Sequence, residues 1–259
     1  MDKSNLENIS ADAVEQMVEQ VKPYLTPIYR ILSDDDGEHL GSGSYVEFNE
    51  DKFIITNEHV IRHRKNNPLA HKFHDSKFIL EIDTQPNFEP KPVDVSVNQI
   101  NEETWNQCTH RAKAIPFNRF AQKHAPFKNE LFFISGYSDE GSTFVRMFDT
   151  LFSKVTSLLV QECPFPKTEK DANPFFHFSL PYNPELLKGP DGEVSLPNPH
   201  GLSGTLVWDT KLIKCYCSGK KWNPKMAEVT GIVWGWPSSA ACLLATKVEH
   251  LKLFSLMNK

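Results

Sequence analysis

Pro199-His200-Gly201-Leu202-Ser203-Gly204-Thr205 sets a serine between two glycines directly ahead of a strand-like run, the way acyl-transfer enzymes present a nucleophilic hydroxyl. A glycine at 201 leaves room for a substrate carbonyl and lets the backbone take positive φ. Far upstream, Phe53-Ile54-Ile55-Thr56-Asn57-Glu58-His59-Val60 is a β-branched and aromatic run that ends in a polar turn carrying a histidine. Between the two lies Val93-Asp94-Val95-Ser96-Val97, with one carboxylate on an alternating apolar strand. A serine hydroxyl is a poor nucleophile at neutral pH. It needs a base within hydrogen-bond reach, and the base needs an acid to hold its tautomer. His59, Asp94 and Ser203 are the candidates for base, orienting acid and nucleophile, with Asp83 in Leu80-Glu81-Ile82-Asp83 as the alternative acid.

The chain order His, Asp, Ser resembles that of the trypsin-like serine proteases, and more their bacterial intracellular and high-temperature-requirement branches than the digestive enzymes. Gly41-Ser42-Gly43 with Tyr45-Val46-Glu47-Phe48 resembles the family's opening strand, and Ile55-Thr56-Asn57-Glu58-His59-Val60 its histidine block. Val93–Val97 resembles the strand of the catalytic acid, and 199–205 the nucleophile loop, with Gly231-Ile232-Val233-Trp234-Gly235 behind it. The resemblance implies an all-β fold of two six-stranded antiparallel β-barrels with short N-terminal and C-terminal helices. It implies an oxyanion hole from the backbone N–H groups of Gly201 and Ser203 and substrate binding along Val233, Trp234 and Gly235. The expected reaction is cleavage of a protein substrate through an acyl-enzyme. The alternative is a catalytically silent relative that keeps the groove as a protein- or peptide-binding module.

The sequence also departs from the pattern. Thr205 stands where a glycine is usual, and Val60 follows the histidine where secreted members have a disulfide cysteine. Leu202 occupies the position at which trypsin has the aspartate that receives a new N-terminal amine, so removal of an N-terminal propeptide is not the expected switch. Pro197 falls at the base of the specificity pocket, with no acid nearer than Glu193, so a small or apolar residue before the cleaved bond is expected.

The 259 residues suffice for two units of barrel size. A net charge of −5 without long basic runs argues against nucleic acid and against a charged membrane surface as partners. The N-terminal segment lacks the basic and apolar regions of a signal peptide, and no apolar stretch is long enough to span a bilayer, so a cytoplasmic location is expected. Five cysteines without regular spacing read as ordinary thiols, Cys215 and Cys217 sharing one face of a strand. His59, His63, His71 and His74 cluster without a carboxylate at a metal-site spacing, so neither metal nor cofactor is expected.

Residues 5–22 carry Val14, Met17, Val18 and Val21 on one stripe, an amphipathic helix with Ser10 as N-cap and Pro23 as stop, within an N-terminal unit of 1–23. A first barrel of 24–125 is expected from strands at 26–32, 43–48, 53–56, 77–82 and 93–97, with 101–128 reading as the linker. A second of 126–259 follows from strands at 131–136, 143–151, 175–180, 205–208, 212–217 and 229–236, closed by a helix within 246–257. The proline- and glycine-rich loop 181–199 reads as a movable element that an activating protein partner would order. A stand-alone member of this family with an added helix suggests, by resemblance, a bacterial regulatory or defence effector.

Overall fold

Runs of β-branched and aromatic residues separated by short polar turns pair into two curled antiparallel sheets. The computed structural model describes residues 3–33, 36–65, 67–140, 143–145, 150–152, 155–166, 169–184 and 196–258. The first sheet holds β1 (Leu25–Ile31), β2 (Gly37–Phe48), β3 (Asp51–Thr56), β4 (Leu69–His71), β5 (Leu80–Glu81), β6 (Asn87–Glu89), β7 (Val95–Ile100) and β8 (Ile115–Pro116). Its order is β5-β4-β1-β2-β3-β7-β6, with β8 lying parallel beside β2. Asn49 and Glu50 take φ of 51° and 73°, and this two-residue turn joins β2 to β3 with Phe48 opposite Asp51.

The second sheet holds β9 (Phe132–Tyr137), β12 (Val155–Val160), β13 (His177–Pro181), β14 (Leu206–Asp209), β15 (Glu228–Gly235) and β16 (Cys242–Lys247), in the order β12-β9-β14-β15-β16-β13. A separate hairpin pairs β10 (Thr143–Val145) with β11 (Thr150–Phe152). The expected fold class is observed. The first sheet has eight strands instead of six, and four of the eight, β4, β5, β6 and β8, are only two or three residues long.

Each sheet encloses its own apolar cluster, centred on Ile28, Tyr45, Ile54 and Phe73 in the first and on Phe132, Phe178, Leu202 and Val233 in the second. A larger cluster joins them. It draws Val46 and Val95 from the first sheet, Trp208 and Ile232 from the second, Met17 and Val21 from α1 (Lys3–Val21), and Leu253 and Leu256 from α5 (Leu253–Met257). Burying this surface fixes the two sheets against each other and so sets the cleft between them.

α1 presents the expected stripe, with Met17 and Val21 buried and Val14 and Val18 half-buried against the core, joined by buried Ala13, and it stops before Pro23. It begins at Lys3, however, so Ser10 lies inside it and is not an N-cap. A serine in a helix interior costs only a few tenths of a kcal/mol, which does not end a helix (~0.5 kcal/mol). The α2 (Glu58–Ile61) and α3 (Glu102–Asn106) turns are short, and α3 and β8 give the expected linker regular structure.

The expected strand at 212–217 is instead a helix, α4 (Leu212–Cys217). Its first turn is fixed by buried Glu130, whose carboxylate accepts the Ile213 N–H at 2.8 Å and the Lys214 N–H at 3.0 Å. A carboxylate at the amide end of a helix is stabilising, and this one lies more than eighty residues away in sequence. Cys215 and Cys217 consequently do not share a strand face: the first is buried and the second exposed.

The expected C-terminal helix also starts later, because Cys242–Lys247 fills the place between β15 and β13 as a strand, leaving α5 only Leu253–Met257. The strand expected over 143–151 is the β10–β11 hairpin, whose connection at 146–149 lies outside the described residues. So does 185–195, the middle of the loop read as movable and the site of Glu193. Among the described residues no helix is long and apolar enough to cross a membrane.

Candidate active site

His59 is presented by a single helical turn at the end of a buried strand. β3 closes at Thr56, whose hydroxyl donates to the Ser42 carbonyl at 2.7 Å, and Asn57 turns the chain into α2 with an extended backbone (φ −82°, ψ 153°). The Asn57 side chain donates to the Asp94 carbonyl at 2.6 Å, tying this turn to the segment ahead of β7. Asp94 is fully buried and takes φ of 54°, the left-handed conformation that aspartate tolerates better than most residues.

Both Asp94 carboxylate oxygens are spent on one residue: Oδ1 accepts the His59 backbone N–H at 3.0 Å and Oδ2 accepts His59 Nδ1 at 2.6 Å. The ring proton therefore sits on Nδ1, and Nε2 keeps its lone pair. Asp83, the alternative acid, is exposed, and its carbonyl accepts from Arg64 at 2.5 Å.

Ser203 follows a tight turn. The Leu202 N–H donates to the Pro199 carbonyl at 3.0 Å, and Gly201 takes φ of 91°, as the third residue of a type II turn requires. The His200 carbonyl accepts the Asp139 N–H at 2.8 Å. Because C=O and N–H point opposite ways across a trans peptide, this bond turns the Gly201 N–H to the side away from Asp139.

The first sheet holds the rest of the loop. Ser42 N–H donates to the Ser203 carbonyl at 2.7 Å and Ser42 Oγ to the Gly201 carbonyl at 2.9 Å. The amides of Leu202, Gly204 and Thr205 are spent on the carbonyls of Pro199, Val233 and Leu202. Among the described residues the amides of Gly201 and Ser203 have no acceptor.

Two glycines allow the close approach between sheets. At Gly204, with φ of 89°, a Cβ would lie 2.0 Å from the Ser42 carbonyl oxygen. At Gly41 it would lie 2.8 Å from Val60 and 2.9 Å from the Ser203 carbonyl oxygen, so the turn bearing the histidine and the serine loop meet at this one backbone position.

Three residues of this arrangement were given no role by the sequence. Ser42 was legible only as part of a glycine block. His39 packs directly beneath the serine loop: a Cβ on Gly201 would lie 2.5 Å from its Cε1. Neither buried His39 ring nitrogen makes a well-formed hydrogen bond, and burial lowers its pKa to about 4 against weaker opposing pulls from Asp139, whose Oδ1 is 3.9 Å away, and from the Gly41 backbone. Asp139 is the third, acting through its backbone N–H.

Val233, Trp234 and Gly235 form the outer end of β15. Val233 exchanges hydrogen bonds with the serine loop, its N–H to Thr205 at 2.8 Å and its carbonyl from Gly204 at 2.9 Å. The register against β16 slips between Val233 and Gly235, so Trp234 is the extra residue of a bulge. β14 reaches only Leu206, opposite Ile232, and a Cβ on Gly235 would meet nothing within 4 Å. The strand edge is therefore open beyond Val233.

Leu202 is 2% exposed and packs into the apolar core of the second sheet. Of the four clustered histidines, His71 is buried with its Nδ1 2.9 Å from the Tyr45 hydroxyl. Among the described residues no group of three or more His, Cys, Asp or Glu side chains is placed to hold a metal ion.

No sequence model of a protein family matches this chain, and no curated protein matches it by sequence. Solved structures do. The chain is similar to the catalytically active tobacco etch virus protease complexed with product, at 12% identity and a TM-score of 0.51, over 92% of this chain and 79% of that one. It is also similar to the Rv3671c protease of M. tuberculosis, in an active form (15% identity, TM-score 0.48, 95% and 85% of the two chains). The inactive form of the same protease matches at 14% identity and a TM-score of 0.49, over 95% and 92%. At these identities the likeness is one of fold, and the fold is the chymotrypsin-like pair of β-barrels.

Proposed function

We propose that the protein is a serine endopeptidase working through His59, Asp94 and Ser203, its first barrel spanning about 24–125 and its second about 126–259. The observation that carries this reading is the alternation of amides in the serine loop: those of 202, 204 and 205 are bonded, while those of Gly201 and Ser203 are left for an incoming acceptor. Buried or half-buried amides normally find partners, so two open ones, the serine's own and that of the residue two before it, fit a site that stabilises an oxyanion.

Asp94 keeps the proton of His59 on Nδ1, which leaves Nε2 to take the proton of the Ser203 hydroxyl as its oxygen attacks the peptide carbonyl. The negative charge that develops on that oxygen is met by the amides of Gly201 and Ser203. Collapse of the tetrahedral species breaks the C–N bond, His59 returns the proton to the leaving amine, and the acyl group remains on Ser203 until water, deprotonated by His59, releases it. The fold shared with an active protease supports the reading, and the open edge at Gly235 supports a peptide as substrate.

A fluorophosphonate probe tests it. Labelling of Ser203 is expected, lost in Ser203→Ala and weakened in His59→Ala. A native chain that never labels overturns the proposal in favour of a peptide-binding module.

A further inference from the structure

Between β6 and β7 the chain carries Lys91, three residues ahead of Asp94. Its backbone neighbours are pinned to the second sheet: the Pro92 carbonyl accepts from His177 Nε2 at 2.7 Å and the Val93 carbonyl from the Thr246 hydroxyl at 2.9 Å. The Lys91 head is held much less firmly. Its Nζ lies 5.1 Å from the centre of the Trp234 ring and 2.9 Å from Asp171 Oδ2. The two side chains of that pair are 48% and 53% exposed. Such a pair is worth little, because water screens it and two flexible side chains must be ordered to make it.

Trp234 supplies the opposite surface. Its side chain, 8% exposed, is backed by the His177 ring at 4.9 Å and by Cys242 and Leu244, so the indole is a fixed wall with an ammonium over it, its Nε1 buried without a hydrogen-bond partner. Gly235, next along the strand, lies on the open edge where an extended peptide can pair. Side chains of an extended peptide alternate in direction, and those directed at Trp234 also meet Lys91. Lys170, next to Asp171, is a second cation at this rim, and Glu169 is a second anion near Cys242.

We propose that Lys91 and Trp234 form a recognition subsite for a carboxylate side chain of the bound peptide, which replaces Asp171 on the Lys91 ammonium. The proposal rests on the groove being the peptide site of the proposed protease. Lys91 is then a specificity-determining residue, and Asp171 a built-in competitor that keeps the cation in place when no peptide is bound.

The competitor role separates this from a mere strap across the cleft. If the pair only ties the two sheets together, breaking it from either side has the same effect. If Asp171 competes with substrate, the two substitutions act in opposite directions.

The experiment measures binding of fluorescent hexapeptides, identical except for Glu, Gln or Lys scanned through each position, to the full-length Ser203→Ala chain by anisotropy. At one position Glu is expected to bind about tenfold tighter than Gln, the scale of one hydrogen bond to a charged group. Lys91→Ala should erase that preference, Lys91→Glu should turn it toward Lys, and Asp171→Asn should tighten Glu peptides further. Equal affinity for Glu and Gln at every position, or weakening of Glu peptides by Asp171→Asn as well as by Lys91→Ala, overturns the subsite. Probe labelling of the native chain is followed in parallel: labelling without a Glu preference sinks the subsite alone, while a Glu preference without labelling sinks the protease reading and leaves the subsite standing.

Discussion

Asp94 spends both carboxylate oxygens on His59, whereas Gly201 and Ser203 spend their carbonyls on Ser42 and leave their amides open. The two halves of the cleft thus meet opposite requirements. In the proposed mechanism the base must be held in one tautomer and one orientation, which calls for a saturated set of hydrogen bonds, and the histidine half draws these largely from its own sheet through Thr56, Asn57 and Asp94. A site for a transient oxyanion must be unsaturated yet rigid, and a loop cannot be both by itself. The serine half is therefore held from outside, by Ser42 and His39 of the first sheet and by the Asp139 amide.

The saturated half should be the more sensitive to a small chemical change. If the proposed triad holds, Asp94→Asn, which puts an amide where His59 Nδ1 finds a carboxylate and favours the wrong tautomer, should lower kcat by about 10⁴-fold, as the same change does in the Ser-His-Asp triad of trypsin. Hydrolysis of a peptide thioester or activated ester reads this directly. If Asp94→Asn keeps near-full activity while Asp83→Asn does not, the acid is misassigned and the comparison breaks at its stronger end.

The unsaturated half should fail through shape. Gly201→Ala puts a methyl group 2.5 Å from His39 Cε1 on a backbone at φ of 91°, so the turn must move and its amide with it. Loss of one oxyanion donor costs about 10²–10³ in kcat, with little change in KM expected. Adding His39→Ala relieves the clash with the imidazole but neither the 2.9 Å approach to the Asp139 backbone nitrogen nor the backbone strain, so only part of the rate should return. Full recovery would show that φ at 201 is immaterial.

Acid probes the support beneath the loop. His39 has its pKa lowered to about 4 and His71 to about 3, both chiefly by burial. A histidine whose folded pKa is depressed is protonated first in the unfolded chain, so stability falls as pH drops from about 6.5 and stops falling, for each group, below its folded value. For His39 the loss amounts to about 3 kcal/mol between pH 6.5 and 4. Urea unfolding across this range should show it, and His39→Phe should flatten the profile. A native profile independent of pH in this window would refute the buried neutral ring.

The smallest expected effect is none. Leu202, 2% exposed in an apolar core, cannot receive an ammonium group. Ester hydrolysis by a chain with a cleavable N-terminal fusion should be the same before and after cutting. Activity that appears only on release would mean that the serine half is held by an amine and not by Ser42 and Asp139.

The β-rich fold class, the long β2–β3 hairpin and the apolar stripe of α1 were legible because each is a local pattern: period two along a strand, a short turn, spacing of three and four along a helix. The segments that carry His59, Asp94 and Ser203 were legible as short motifs, and of these residues His59 and Asp94 are hydrogen-bonded to each other. α4 was not, since its apolar content suits a strand equally well and the choice is made by Glu130 from another part of the chain. β12 was not read at all, and β16 was read in part as helix, because their pairing with β9 and with β13 and β15 exists only in the assembled sheet.

By itself, then, the amino-acid sequence determined which segments could be strands, where glycine permits positive φ, and which side chains could act as base, acid and nucleophile, since all of these depend on neighbours in the chain. Only the tertiary structure decided that Asp94 and not Asp83 reaches His59, that His39 and Ser42 support the serine loop, and that Lys91 covers Trp234. Those are contacts between residues tens to more than a hundred positions apart, and they form only when burial of the shared core fixes one sheet against the other.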